Sequence, residues 1–170
     1  SEITLLVPPS NTLPHALLAQ KLKHLHNRGL MDAGLVLVQT HPPSQTRILQ
    51  GYISQAELEF GLEKLVSVGG REEDVRVRVL GHATATAAAG DEGEEGRAEA
   101  LEVDLTPFVD RTPMTICANA PLEYAVEMFA KLGLRYLCVT AEGTGELVGV
   151  IIKKRLVGYL EHLREHGDDE

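Results

Sequence analysis

Two stretches of this chain carry one pattern. With Gly51 set on Gly149, RILQGYISQAELEFGL falls on GELVGVIIKKRLVGYL: apolar alternation, a glycine, then leucines at helical spacing. An internal repeat in a chain of 170 residues constrains the fold strongly. Each copy then has only about 60 residues and would be marginal alone, so the copies are expected to bury a face against each other.

The second copy is the clearer one. Between Asp104 and Leu163 the pattern predicts a strand (Met114–Cys117), a helix (Pro121–Leu132), two strands (Tyr136–Thr140 and Glu146–Ile152) and a closing helix. Leu122, Ala125, Val126, Phe129 and Leu132 fall on one stripe at the spacing of a buried helix face. Pro121 suits the first turn and Gly133 the left-handed stop. AEGTG reads as a tight connection between antiparallel strands. Leu156, Val157, Leu160 and Leu163 repeat the stripe on the last helix, completing a βαββα unit.

The first copy reads the same way. Ile3–Val7 is a short strand, and Thr12 is the expected N-cap of a helix from about Leu13 that turns Leu17, Leu18, Leu22 and Leu25 inward and ends at Gly29. Gly34–Val38 is a continuous buried strand, THPPSQT a loop, and Ile48–Ile53 the next strand. Ser54-Gln55-Ala56-Glu57 is a capping box opening a helix with Leu58, Gly61, Leu62 and Leu65 inward. Beyond it, Val75, Val77 and Val79 alternate with Arg76 and Arg78 as an extended, edge-like segment. Six acids between Asp91 and Glu102, opposed by Arg97 alone, come with no periodic apolar face and predict a mobile linker. The organisation expected is a first domain over 1–70, an acidic linker over 71–103 and a second domain over 104–170.

Composition serves chiefly to exclude. A net charge of −9 argues against nonspecific nucleic-acid binding and against an anionic membrane surface. Cys117 and Cys138 both sit in strand patterns and read as buried apolar thiols. No run approaches the roughly 20 apolar residues of a membrane span. His24 and His26, two apart on a helix, point to different faces; His162 and His166 have i, i+4 spacing but read as a solvated helix end before an acidic tail. No nucleophile elbow, phosphate loop or dinucleotide fingerprint is present. Neither catalytic residues nor a metal site are expected, and an enzyme is not. The chain starts with Ser rather than Met and is expected to be a piece of a longer protein.

The unit, with TP-x-T at its head and LVGV-I-x-K-K before its last helix, resembles a CBS domain. More narrowly, LTPFVDRTPMTI, MFAKLGLRYLCVT and LVGVIIKKRLVGYL resemble the second CBS domain of eukaryotic CLC chloride channels and chloride/proton exchangers, of fungal type. The resemblance covers about sixty residues, the scale of one small domain, and implies an α/β (α+β) fold of two βαββα repeats packed pseudo-symmetrically through their sheets. It also implies a non-catalytic regulatory module joined to a membrane transport domain of the same polypeptide, at the cytosolic face of an endosomal, Golgi, vacuolar or plasma membrane. Such modules form homodimers.

CBS pairs commonly bind adenine nucleotides between the copies, so ATP, ADP or AMP is the implied regulatory ligand, with no cofactor required. Carried over by position, the site comprises the strand residue Thr4, the base-contacting segment Asp32, Ala33, Gly34, Leu35 and Val36, and the helix start Lys153, Lys154 and Arg155. Two positions depart from the pattern. Arg155 stands where an Asp would hold the ribose hydroxyls, which a guanidinium cannot accept from, and Asp32 stands where an aromatic would stack on the base. In the mirror cleft Glu57 and Thr115 take the equivalent places, and Glu57 is better explained by the capping box. Two other readings stay open: a ligand-free structural and dimerising module, and a CBS pair attached to a nucleotide-metabolising enzyme.

Overall fold

The computed structural model describes residues 2–30, 33–66, 75–81 and 101–167. The first copy runs β1 (Thr4–Leu6), β2 (Thr12–Pro14), α1 (His15–Asn27), β3 (Gly34–His41), β4 (Thr46–Ser54) and α2 (Gln55–Val66). Then come β5 (Arg76–Arg78), β6 (Glu102–Asp104) and a 3-10 turn at Thr106–Phe108. The second copy follows as β7 (Thr115–Cys117), α3 (Leu122–Leu132), β8 (Tyr136–Thr140), β9 (Leu147–Ile152) and α4 (Lys153–Gly167). Sheet order is β1-β3-β4 in one copy and β7-β8-β9 in the other. In each the first pair is parallel and the second antiparallel.

The repeat holds to the single residue. In the first copy Leu37 faces Gly51 and Val38 faces Leu49, which leaves Gln50 bulged. In the second copy Val139 faces Gly149 and Thr140 faces Leu147, which leaves Val148 bulged. One extra residue at the same place in both strands bends both hairpins alike. The register Gly51 on Gly149 is therefore structural as well as textual.

Local chemistry accounts for most element boundaries. β3 is an apolar run because both its faces are covered, and Leu35, Val36, Leu37 and Val38 are all buried. α1 turns Leu18 and Leu25 fully inward, and Gly29 follows it at φ +65°. The capping box forms as expected: Ser54 Oγ lies 2.8 Å from Glu57 Oε2, and Glu57 N–H donates to Ser54 Oγ at 3.3 Å. Gly133 caps α3 in the left-handed conformation.

Three expectations are corrected. Thr12 is no N-cap: it lies buried in β2, its hydroxyl accepts from Arg76 Nη2 at 2.9 Å, and α1 starts two residues later than expected, after Pro14. The valine-rich segment is no edge. β5 is the central strand of a third sheet, antiparallel to β2 and parallel to β6, which buries Val75, Val77 and Val79. The helix stripes of the second copy are only half used. Ala125, Phe129 and Leu156 are buried, whereas Leu122, Leu132, Val157 and Leu163 are exposed. Large apolar side chains are thus left exposed on α3 and α4.

The third sheet joins the entrance of the first copy to that of the second. The linker expected over 71–103 thus carries β5 near its start and β6 at its end, while positions 82–100, its acidic centre, lie outside the described residues. After β6, Leu105 is buried against α2. A Cβ at Gly61 would collide with the Leu105 side chain, so the small residue is what admits that contact. One core unites the copies: the buried side chains of the first copy pack with Cys138 and Ile152 of the second, and Tyr136, Leu147 and Val150 flank them. A smaller cluster of Ala125, Phe129, Leu137 and Leu156 holds α3 and α4 on their sheet.

Candidate functional site

The two sheets meet along β4 and β9. Ile48 bridges Glu146, and Leu49 N–H donates to Gly145 O at 3.2 Å. Farther along β4, Tyr52 exchanges two backbone hydrogen bonds with Asp110, each 2.8 Å. Gly51 makes that approach possible, since a Cβ there would lie 2.8 Å from Asp110 O and 2.8 Å from Val109 Cγ1. Arg111 Nε adds a bond to Gln50 O at 3.1 Å.

Aromatic contact completes the junction. The Tyr52 and Tyr136 rings stack with centroids 3.7 Å apart and planes 19° from parallel. Burial pushes the Tyr52 hydroxyl up to about 12. Burial raises Tyr136 as well, with the neighbouring Tyr52 and Asp110 adding to it. The Cys138 thiol is pushed up to about 11, first by burial and then by Asp110. Both phenols and this thiol therefore stay protonated at neutral pH. Cys138 is no activated nucleophile, and the junction is built to hold rather than to react.

Sequence reasoning missed Tyr52, Asp110 and Tyr136. The reason is physical: Tyr52 matches Val150 in the repeat, and Tyr136 matches Gly34. The stack joins non-equivalent positions, so aligning the copies cannot disclose it. Gly34 does carry a trace of it, because a Cβ there would lie 2.8 Å from Tyr52 Cζ.

The residues carried over by resemblance fall into three groups. Thr4 is half-buried in β1, opposite Val36. Ala33, Gly34, Leu35 and Val36 are buried, and the Val36 N–H is already donated to Ile3 O at 2.8 Å. Asp32 lies outside the described residues. Lys153, Lys154 and Arg155 form the exposed first turn of α4, where the Lys153 N–H is taken by Arg135 O at 2.9 Å.

Arg155 has an acidic neighbour that the sequence did not reveal. Its Nη2 sits 3.2 Å from Glu2 Oε2, and Arg28 Nη2 sits 3.3 Å from Glu2 Oε1. One carboxylate thus spans a guanidinium from each copy, two residues before Thr4. The hydrogen bond from Arg155 holds the Glu2 carboxyl below its ordinary range, and the charge of Arg28 adds to this. The strand of Thr4 and the head of α4 are brought together, while Leu35 and Val36 are committed to the core.

Two grooves stand out, one at the head of α4 and one between α1 and α2. One, of about 540 Å³, is lined by Gly133, Arg135, Lys153, Lys154, Val157 and Glu161 among others. Two lysines and an arginine gathered at a helix N-terminus favour an anion. The other, of about 450 Å³ between α1 and α2, has His15 and Leu22 in its wall and Glu59 and Glu63 on its α2 side. Lys23 and His26 line it as well, so its charge is mixed.

Comparison with known proteins agrees with the repeat. Residues 104–162 match the sequence profile of the CBS domain. Over 56 residues, 33% of this chain, the sequence is 38% identical to human H(+)/Cl(-) exchange transporter 3, of which the match spans 7%. The solved Vibrio cholerae protein AcuB superposes with a TM-score of 0.54 at 19% identity, over 98% of this chain and 88% of that one. Staphylococcus aureus OpuCA superposes with a TM-score of 0.52 at 13% identity, over 94% and 92%. At such identities the structural likenesses speak to the fold, and they do so over both copies. No helix among the described residues is long and apolar enough to cross a membrane.

Proposed function

We propose that this chain, a pair of CBS domains of which residues 104–162 match the family profile, is the regulatory module of a CLC-type chloride transporter. The observation that carries the reading is the 38% identity to a chloride/proton exchanger over 56 residues of this chain. In this reading residues 1–70 and 104–170 are the paired domains, 71–103 links them, and the module lies at the cytosolic face of a membrane. Its work is mechanical. A ligand or a neighbouring subunit acts by favouring one arrangement of the two copies over another, across a junction in which Tyr52 stacks on Tyr136.

The ligand we propose is an adenine nucleotide with its phosphates at the basic head of α4. Lys153, Lys154 and Arg135 line that groove, and Arg155 reaches across to Glu2 of the first copy. Phosphate would enlist the lysines as point charges and the guanidinium bidentately. Residues Leu35 and Val36 would then support the site from the core, without contacting the base.

A second reading draws on the open face of the second copy. Leu122, Tyr124, Leu132, Val157, Tyr159 and Leu163 are exposed on α3 and α4, large apolar side chains of the kind that an interface covers. Here the module serves assembly into a homodimer, with or without ligand. Sequencing the transcript upstream of Ser1 tests the transporter reading that both share. A series of apolar spans, each of about 20 residues, is the expected result; a catalytic domain there would overturn it in favour of a nucleotide-metabolising enzyme.

A further inference from the structure

The far end of α4 gathers donors that the cleft does not use. His162, Glu165 and His166 stand at i, i+3 and i+4, which places them on one helix face. All three are exposed, and their metal-capable atoms lie within 4.8 Å of one another. The two imidazole rings are tilted by 47° with centroids 4.0 Å apart.

One hydrogen bond distinguishes this cluster from a solvated helix end. His166 Nδ1 lies 2.9 Å from the His162 backbone oxygen. A carbonyl oxygen can only accept, so Nδ1 carries the hydrogen, and in the neutral imidazole Nε2 is then the nitrogen with a lone pair to offer. Metal-ligating histidines are oriented in the same way, with the second ring nitrogen donating to a carbonyl or carboxylate. The setting also favours a cation. The carbonyl end of the helix is electronegative, and Asp168, Asp169 and Glu170 follow in the sequence.

We propose that His162, Glu165 and His166 form a binding site for a divalent transition metal of the zinc class. Two imidazole nitrogens and one carboxylate oxygen suit Zn²⁺, Cu²⁺ or Ni²⁺, whereas Mg²⁺ and Ca²⁺ call for oxygen ligands. Zinc–donor bonds of about 2.0–2.2 Å set the donors roughly 3.3 Å apart in a tetrahedron. Exposed side chains reach that spacing by small rotamer changes. The fourth position stays open for water, and the bound ion staples the last turn of α4.

Titration of the whole chain with ZnCl₂ in a non-coordinating buffer, followed by calorimetry, tests the site. Saturable 1:1 binding with a dissociation constant of micromolar order is expected, with MgCl₂ silent. His162→Ala and His166→Ala should each weaken it roughly tenfold or more, and Glu165→Gln should weaken it less. His24→Ala, on the exposed face of α1, should leave it unchanged. The four positions are exposed, so unaltered circular dichroism will show that the fold persists in each variant. No saturation below about 1 mM Zn²⁺, the limit of weak recognition, would overturn the proposal. Binding that survives in the double variant H162A/H166A would overturn it too.

Discussion

Ile48 and Glu146 hold the same place in the two copies, and they are paired with each other. Gly51 facing Leu37 matches Gly149 facing Val139, and three residues upstream on each strand this equivalence falls on Ile48 and Glu146, which form an antiparallel bridge. An element can meet its own equivalent only at a two-fold axis. The local axis relating the copies therefore passes between these residues. Away from it the symmetry lapses: a Cβ at Gly51 would lie 2.8 Å from Asp110 O, whereas one at its equivalent on β9, Gly149, would have nothing within 4 Å among the described residues.

That asymmetry predicts opposite outcomes for one substitution made twice. Gly51→Ala places a methyl 2.8 Å from the backbone oxygen of Asp110, an atom held in a ladder that cannot yield cheaply. A loss of about 1–3 kcal/mol is expected, as for overpacking. Gly149→Ala meets nothing within 4 Å among the described residues, and its effect should stay within about 0.5 kcal/mol. Urea unfolding of the two variants beside the parent measures the difference. Equal effects would mean that Asp110 does not dock against β4.

Ser54→Ala removes the hydroxyl that accepts from Glu57 N–H and faces its carboxylate. A loss of about 1 kcal/mol is expected, as for other N-caps. Chemical denaturation reads it, and Ser54→Thr should restore most of the loss because its hydroxyl can both accept from Glu57 N–H and donate to its carboxylate. No loss in Ser54→Ala would show that the capping bonds contribute nothing net.

The tyrosine stack makes a prediction about alkaline stability. The Tyr52 hydroxyl is pushed up to about 12 in the fold, against about 10 in an unfolded chain. A group whose folded value is raised contributes stability that is present below the unfolded value and is lost as pH rises towards the folded one. Stability should therefore fall between about pH 10 and pH 12, and Tyr52→Phe should flatten that part of the profile. Denaturation midpoints across this range test the sign. A profile in Tyr52→Phe as steep as the parent's would contradict it.

Cysteine reactivity separates the two thiols. Cys138 is buried and its thiol is pushed up to about 11, while Cys117 is half-buried. A thiol-specific chromophore should label Cys117 in the folded protein and Cys138 only once denaturant is added. Rapid labelling of both without denaturant would show that β8 is not sealed.

Much of the fold was legible because its determinants are local. The glycines and leucines shared by the two copies set the register of both hairpins, and the Ser54–Glu57 spacing announced the start of α2. What escaped was set by distant partners. Thr12 has the chemistry of a cap, yet Arg76, far along the chain, recruits it into β2. Leu122 and Leu132 have the spacing of core residues, yet among the described residues they stay exposed. The candidate site divides in the same way. Lys153 and Lys154 stand where a helix start was expected, but the carboxylate linking Arg155 to Arg28 belongs to Glu2, which neither repeat nor motif singles out.

Calorimetric titration of the whole chain with ATP, ADP and AMP, at near-physiological salt, tests the regulatory reading most directly. Saturable binding tighter than roughly 1 mM for at least one nucleotide is predicted, weakened about tenfold or more when Lys153 and Lys154 are both changed to Ala, since each phosphate contact is charge-assisted. Silence with all three nucleotides, or binding untouched by the double substitution, would contradict the account and leave the open face of α3 and α4, and with it assembly, as the module's role.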